Sequence, residues 1–243
     1  IDNDREIIFF DIETYEKPGA SIYDSKTGKH LLYTTNKKTI KKYKNPKIAK
    51  DFEIVYRKHE QYLCCWLGNK KNSKVKFETG FWCCERFLES LDSKKKYTII
   101  AHNAGYDYFV GLFPHIFNVK QISKGKSLTN ANVMFCKNRN GYKGKDKGST
   151  IDIQVKDSLK LITMGLAKFG GTFGLKQSKD LMPYKLYTYE NVTNNNGMHE
   201  MNYCLSFFNN KKDKKQFKEN CKKWDCAYSG FVDIIEYSRR YCE

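Results

Sequence analysis

The apolar residues of this chain fall into short runs, and two of these runs lead into acids. Residues 7–12 (IIFFDI) are predicted to form a buried strand by their length and their β-branched and aromatic content, and Asp11 and Glu13 lie at its end. Residues 97–101 form a second such run, which is followed by a polar turn and then Asp107. The pattern therefore predicts two buried strands that each end near a carboxylate.

The remaining periodicity predicts further strands and helices. A strand pair joined by a polar turn is expected at 62–68 and 74–80, and a hairpin with a glycine-rich, charged turn at 132–137 and 150–155. Helices are expected at about 81–91, from about 106, at 158–169 and at about 228–242. We place Ser158 as the N-cap of the third helix. This mixture predicts an α/β fold class.

Chain length and net charge indicate the domain organisation and the class of partner. At 243 residues the chain can bury one large core, and we expect a single domain over 1–243 with insertions at about 26–60 and 186–223. The 44 Lys and Arg residues exceed the 27 Asp and Glu residues, which leaves a net charge of +17. This excess favours a polyanionic partner, nucleic acid before an anionic membrane surface. Part of the lysine excess accompanies asparagine and could reflect AT-rich coding, so it carries less weight.

Cysteine usage and hydropathy limit the cellular setting. The nine cysteines are an odd number and form no C-x-x-C pattern, so neither a zinc framework nor a secreted disulfide scaffold is indicated. No apolar run approaches the length of a membrane span, and no signal peptide pattern is present at the start. The sequence therefore predicts an intracellular protein in a reducing compartment, the cytoplasm or the mitochondrion, with no membrane partner.

The two strand ends suggest a metal site. In Asp-x-Glu on a strand, both side chains point to the same side of the sheet, because side chains alternate with a period of two. Two such carboxylates repel each other unless a cation lies between them, and their hard oxygens suit Mg²⁺ or Mn²⁺. The pattern alone is also common at solvated strand ends. Asp107 at a second strand end favours the metal site, because adjacent strand ends meet in one crevice.

Three segments carry a resemblance to a known family. FFDIET at 9–14, HNAGYD at 102–107 and SLKLI at 158–162 resemble motifs of the 3′–5′ exonuclease domain of family B DNA polymerases, most closely the protein-primed branch. The matched motifs lie in the family's order between residues 9 and 184. The resemblance implies a ribonuclease-H-like mixed sheet flanked by helices and a two-metal site of four acids, of which three match Asp11, Glu13 and Asp107.

The same resemblance implies roles for further residues. It implies contacts with single-stranded nucleic acid for six of them: Thr14, His102, Asn103, Tyr106, Ser158 and Leu159. Lys179 matches a Lys-x-x-hydrophobic motif, and Tyr241 begins a Tyr-x-x-x-Asp motif whose tyrosine positions the attacking water. Both are expected to be catalytic. The aspartate of that last motif, the fourth ligand, would fall two residues beyond Glu243, where the sequence ends.

These observations predict a metal-dependent, proofreading 3′–5′ exonuclease that acts on single-stranded DNA ends. It would be the N-terminal part of a longer protein-primed polymerase, with the polymerase domain and a terminal protein as partners. The absent fourth acid leaves an alternative open: a separate, degenerate nuclease-fold subunit that binds RNA or a protein without catalysis, for example in an organellar ribonucleoprotein. A ribonuclease of the same fold is a third possibility, since the same sheet and metals can serve RNA.

Overall fold

The computed structural model describes residues 4–26, 30–80, 82–124, 127–137, 149–165, 168–174 and 180–242. Its strands are β1 Arg5–Asp24, β2 His30–Thr34, β3 Phe52–Gly68, β4 Lys76–Thr79, β5 Lys96–Ala101, β6 Phe117–Lys124, β7 Ser127–Cys136, β8 Thr150–Asp157, β9 Met198–Glu200, β10 Ala227–Tyr228 and β11 Phe231–Asp233. Its α-helices are α1 Lys37–Tyr43, α2 Cys83–Ser90, α3 Phe169–Phe173, α4 Tyr189–Thr193, α5 Met201–Ser206, α6 Lys211–Lys223 and α7 Ile234–Cys242.

The main sheet has the strand order β4-β3-β1-β5-β8-β7-β6, and β2 pairs with the far part of β1. Strands β4, β3 and β1 are antiparallel to one another, whereas β5 and β8 continue the sheet parallel to β1. Strands β7 and β6 extend it in antiparallel fashion. This mixed sheet with helices packed against it confirms the expected α/β, ribonuclease-H-like fold class.

Strand β1 is much longer than the predicted 7–12, because it continues alongside β3 as far as the pair Asp24 and Phe52, with β2 paired to its last part. Pro18, which has no amide hydrogen, falls in a register shift between Glu16 and Gly19, where a strand tolerates proline. Residues 26–60, predicted as an insertion, therefore contribute β2, α1 and the first part of β3. The predicted pairing of 62–68 with 74–80 is confirmed by β3 and β4.

Two helix predictions differ from the structure. Residues 158–169 do not form one helix: Ser158–Lys160 is a single 3-10 turn, and the next helix, α3, begins only at Phe169. The turn is capped by Asp157 and not by Ser158, because the Asp157 carboxylate accepts a hydrogen bond from the Leu159 amide. The last helix begins at Ile234 rather than near 228, because the preceding residues form β10 and β11.

Apolar side chains gather in two clusters. The sheet core lies between the main sheet and α2, and includes Phe10, Phe87, Ile99, Phe135 and Ile153. The second core is built on the other part of β1 and β3 and on residues 182–242, and includes Tyr15, Tyr62, Phe217, Ile234 and Tyr237. The polar segment 186–223 is thus anchored by a series of buried residues spread along it, among them Leu186, Val192 and Phe217. No helix in the described ranges is long and apolar enough to cross a membrane.

Gly197 marks a close approach between the chain and α7. Its φ is +79°, and a Cβ atom there would lie 2.8 Å from Cγ1 of Ile235 on α7. Gly230 has a similar φ of +86° but open space around it. Both positions therefore need a residue that tolerates positive φ, but only position 197 also lacks space for a side chain.

We expect Gly197→Ala to destabilise the protein more than Gly230→Ala. The left-handed backbone costs both variants about 1–2 kcal/mol, and overpacking against Ile235 adds about 1–3 kcal/mol at position 197 alone. Urea unfolding followed by circular dichroism measures both values. Equal losses in the two variants would show that α7 yields to the added methyl group.

Candidate active site

Three carboxylates come together where β5 ends and its parallel pairing with β1 stops. Asp11 and Glu13 follow the segment of β1 that pairs with β5. Asp107 opens a π-helical turn, Asp107–Leu112, a few residues after β5 ends. Oδ1 of Asp107 accepts a hydrogen bond of 3.1 Å from the amide of Ile12, the residue between the two β1 acids. All three acids line one open cleft of about 1150 Å³.

The acids differ in their exposure. Asp11 is exposed to the cleft, whereas Glu13 is 8% and Asp107 only 5% exposed. Burial, and then the nearby charge of Asp11, raises the pKa of Asp107 well above its usual range, against the lowering effect of the Ile12 amide. A divalent cation would relieve this repulsion, and carboxylate oxygens are the hard ligands that Mg²⁺ and Mn²⁺ prefer. The donor chemistry of the cleft therefore fits the expected cation.

A strained turn follows β5 and carries two of the predicted contact residues, His102 and Asn103. Asn103 adopts a left-handed conformation with φ of +64°, and its amide donates to Oδ1 of Asp157 at 2.9 Å. The same oxygen accepts from the Leu159 amide at 3.0 Å. His102 contacts Ser158 through Nδ1 and Oγ, 3.0 Å apart. The buried carboxylate of Asp157 thus joins the two segments in which these residues lie.

Tyr106 presents an aromatic face to the cleft. Its side chain is 40% exposed, and its hydroxyl forms a hydrogen bond with the hydroxyl of Thr14. The ring of His59 meets it edge-on, with centroids 6.0 Å apart. Tyr106 is therefore fixed by a polar contact at its tip while its ring remains available for stacking.

Tyr241 reaches the cleft from α7. It lines the cleft with the three acids, and its hydroxyl lies 3.3 Å from that of Tyr184. Burial raises the pKa of Tyr241, and the neighbouring Tyr184, Glu13 and Asp11 raise it further. These contributions indicate that the phenol shares one electrostatic environment with the acids.

A β-bulge anchors α7 beside the acids. Glu13 pairs with Leu63 and Thr14 with Gln61, so Tyr62 is the extra residue on β3. A bulge redirects side chains, and such irregularities are common next to active sites. The Tyr62 ring stacks between two other tyrosines, Tyr15 and Tyr187, and its hydroxyl lies 2.9 Å from Oγ of Ser238 on α7. Through this contact the strand that faces the acids also holds the helix that carries Tyr241.

Most predicted site residues meet in this cleft. Its lining includes Asp11, Glu13, Thr14, His102, Asn103, Tyr106, Asp107, Leu159 and Tyr241. Ser158 is outside the lining, and its hydroxyl contacts the lining residue His102. Lys179 lies outside the described residues.

Sequence reasoning missed several residues of the site. Asp157, which holds the turn beside the cleft, was overlooked; it ends β8, where apolar residues alternate with polar ones instead of forming a continuous run. Trp224, Lys223 and Arg240 also line the cleft, but they lie far along the chain from the acid motifs and no local pattern indicates them.

The comparisons with known proteins place the chain in a class. A family model described as DNA polymerase type B, organellar and viral, matches residues 90–243, which is more than half of the chain. Together with the fold and the acid-lined cleft, this match defines a domain of a nucleic-acid-processing polymerase. The chain belongs to the type B DNA polymerases of organelles and viruses. The family membership expected from the sequence motifs is thus confirmed.

Solved structures of phi29 DNA polymerase resemble the chain distantly. The match to its complex with single-stranded DNA has 15% sequence identity and a TM-score of 0.41. This match covers 74% of this chain and 25% of the polymerase. The ternary complex with primer-template DNA and nucleotides has 13% identity and a TM-score of 0.44, and covers 88% and 28%. The chain thus spans about a quarter of the length of these polymerases. Curated proteins give no match.

Asp157 offers a test of how the turn is held. Asp157→Ala removes the buried acceptor of two backbone amides, and we expect a loss of about 1–3 kcal/mol in the free energy of unfolding. Asp157→Asn keeps a carbonyl oxygen at the same place and is expected to lose clearly less. Denaturant titration measures both variants. A loss in Asp157→Asn as large as that in Asp157→Ala would mean that the charge, rather than the two hydrogen bonds, stabilises the turn.

Proposed function

We propose that this chain is the 3′–5′ exonuclease domain of its polymerase and removes nucleotides from single-stranded DNA ends. The observation that supports this most is the meeting of Asp11, Glu13 and Asp107 in one open cleft with Tyr241 beside them. Structural carboxylates are seldom gathered without compensating cations, because their mutual repulsion destabilises the folded state.

Different residues of the chain would bind the metal ions, orient the water and hold the nucleotide. Asp11, Glu13 and Asp107 would hold Mg²⁺ or Mn²⁺, and the bound ions supply an activated water and stabilise the leaving 3′ oxygen. The hydroxyl of Tyr241 orients the attacking water from the α7 side of the cleft. Thr14 and Asn103 line the same cleft and would hold the terminal nucleotide. Positioning of this kind accounts for much of the catalysis in phosphoryl transfer.

Aromatic and basic side chains around the cleft suit a single strand. Tyr106, Phe169 and Trp224 provide rings near the opening. Lys223 and Arg240, which form ion pairs with Asp180 and Glu236, are the basic side chains of the same lining. Stacking on aromatic rings tolerates any base, which proofreading requires, and lysine and arginine attract the phosphates. For the whole protein, the proposal implies a polymerase domain and a terminal protein as partners.

Loss of the acids should abolish cleavage. We expect Asp11→Ala and Asp107→Ala each to reduce the rate by at least about 100-fold, the scale seen when one charge-stabilising group is removed from an active site. Glu219→Ala, an exposed acid on α6, is the matched control and should cleave normally. The assay follows shortening of 5′-labelled single-stranded DNA with Mg²⁺, using this chain and a version extended by the codons that follow Glu243.

The outcomes separate the alternatives. Activity that survives Asp11→Ala would overturn the assignment of the acids. Binding of DNA without cleavage by either version would favour the non-catalytic subunit. Preferential shortening of a matched RNA would favour a ribonuclease.

Tyr106 tests the nucleic-acid contact separately from chemistry. We expect Tyr106→Ala to lose about 1–3 kcal/mol of binding to single-stranded DNA, which is the usual value of one base stack. Tyr106→Phe keeps the ring and should bind almost as well, although it loses the hydrogen bond to Thr14. Tyr56→Ala removes an exposed tyrosine that is absent from the cleft lining and is the control. Fluorescence anisotropy in the presence of a chelator, which prevents cleavage, measures the affinities; equal losses for Tyr56→Ala and Tyr106→Ala would refute a specific stack.

A further inference from the structure

Two thiols lie directly beside the acids. Cys65 on β3 pairs with Asp11 on β1, and side chains of directly opposed residues lie on the same face of a sheet. Cys242 comes from the last turn of α7. The two Sγ atoms and a carboxylate oxygen of Asp11 all lie within 4.8 Å of one another. Cys242 Sγ is also 3.9 Å from Oε1 of Glu13.

The neighbouring residue Cys64 belongs to a different cluster. Because side chains alternate along a strand, Cys64 points into the sheet core, where its Sγ lies within 4.8 Å of those of Cys83 and Cys84. All three of these residues have no exposed surface. The group formed by Cys65, Cys242 and Asp11 differs in two respects: it contains a carboxylate, and it opens to solvent through the exposed Asp11.

The donor set of the open group favours a softer cation than Mg²⁺. Magnesium takes oxygen ligands in octahedral geometry, whereas thiolates select zinc and similar metals. Zinc accepts sulfur at about 2.3 Å and oxygen at about 2.0–2.2 Å in a tetrahedron, which places neighbouring donor atoms roughly 3.4–3.8 Å apart. The donors here lie within 4.8 Å, so small side-chain rotations are sufficient to close the site.

We propose that Cys65, Cys242 and Asp11 form a Zn²⁺ site in the wall of the cleft, with the fourth position open to water. Binding displaces the two thiol protons to solvent and occupies Asp11, which the proposed function assigns to Mg²⁺ or Mn²⁺. Zinc would therefore inhibit the domain by competition for this shared carboxylate. The zinc binding stands on the geometry alone, and only the inhibition rests on the proposed function.

Cobalt provides a direct readout, because Co²⁺ bound to thiolates gives a charge-transfer absorption that Zn²⁺ abolishes on displacement. The reduced chain should show this band in the absence of DNA. Cys65→Ser and Cys242→Ser should each weaken it and lower the zinc affinity by more than the roughly 100-fold that loss of a group merely hydrogen-bonded to a ligand costs. Cys136→Ser, a buried cysteine on β7, and Cys64→Ser should leave both quantities unchanged.

Three results would overturn the zinc site. They are the absence of the band in the reduced chain, its persistence in both Cys65→Ser and Cys242→Ser, and its loss in Cys64→Ser, which would move metal binding to the buried cluster. A disulfide between Cys65 and Cys242 that persists under reducing conditions, detected by mass spectrometry, would also refute it, since oxidised sulfurs do not bind zinc in this way.

The consequence for activity is measured separately. The ratio of cleavage rates without and with Zn²⁺, at fixed Mg²⁺, should be larger for the native chain than for Cys242→Ser. A chain that shows the cobalt band but never cleaves DNA would retain the zinc site and lose the proposed function. A chain that cleaves DNA but shows no cobalt band would retain the proposed function and refute the zinc site.

Discussion

The burial of a carboxylate against two others is the constraint around which this domain is arranged. Asp107 is removed from water and placed beside Asp11, and its raised pKa expresses the cost. The strand that carries Asp11 and Glu13 is paired with β3 at both acids and with β5 as far as Phe9, just before them, so it cannot easily move away to relieve the repulsion. The hydrogen bond from the Ile12 amide to Asp107 fixes the third acid to the same strand. Rigid backbone thus maintains a charge arrangement that a cation would stabilise.

The sequence was sufficient to locate this arrangement because its signals are local. An apolar run followed by an acid identified β1 and β5, and parallel neighbours bring such ends together. The stretch after Asp157 was not predictable in the same way. The Ser158 hydroxyl bonds the carbonyl of Ala101 and contacts His102, both more than fifty positions earlier, and Leu161 is 81% exposed. A helical pattern of apolar residues could not anticipate these distant partners, so the predicted helix was wrong.

The second core was harder to foresee for a related reason. Helix α6 is dominated by lysine, and only Phe217, Asn220 and Cys221 are buried along it. Strands of two or three residues, such as β10 and β11, are too short to show any periodicity. The motif analysis singled out Tyr241, but its position beside the acids depends on this core. The sequence motif was therefore enough to single out Tyr241 as a site residue, but not to predict where the fold places it.

Tyr62, the extra residue of the β-bulge, connects β3 to α7, and this contact limits where related chains can gain or lose residues. Gln61 and Leu63 pair with consecutive residues of β1, and Tyr62 between them contacts α7 through Ser238. An insertion or deletion between residues 61 and 63 would change the register of β3 with β1 or remove the contact between Tyr62 and α7. We therefore expect length differences among relatives to fall in turns such as 69–74, while an alignment gap between positions 61 and 63 would signal that the acids and α7 no longer share one cleft.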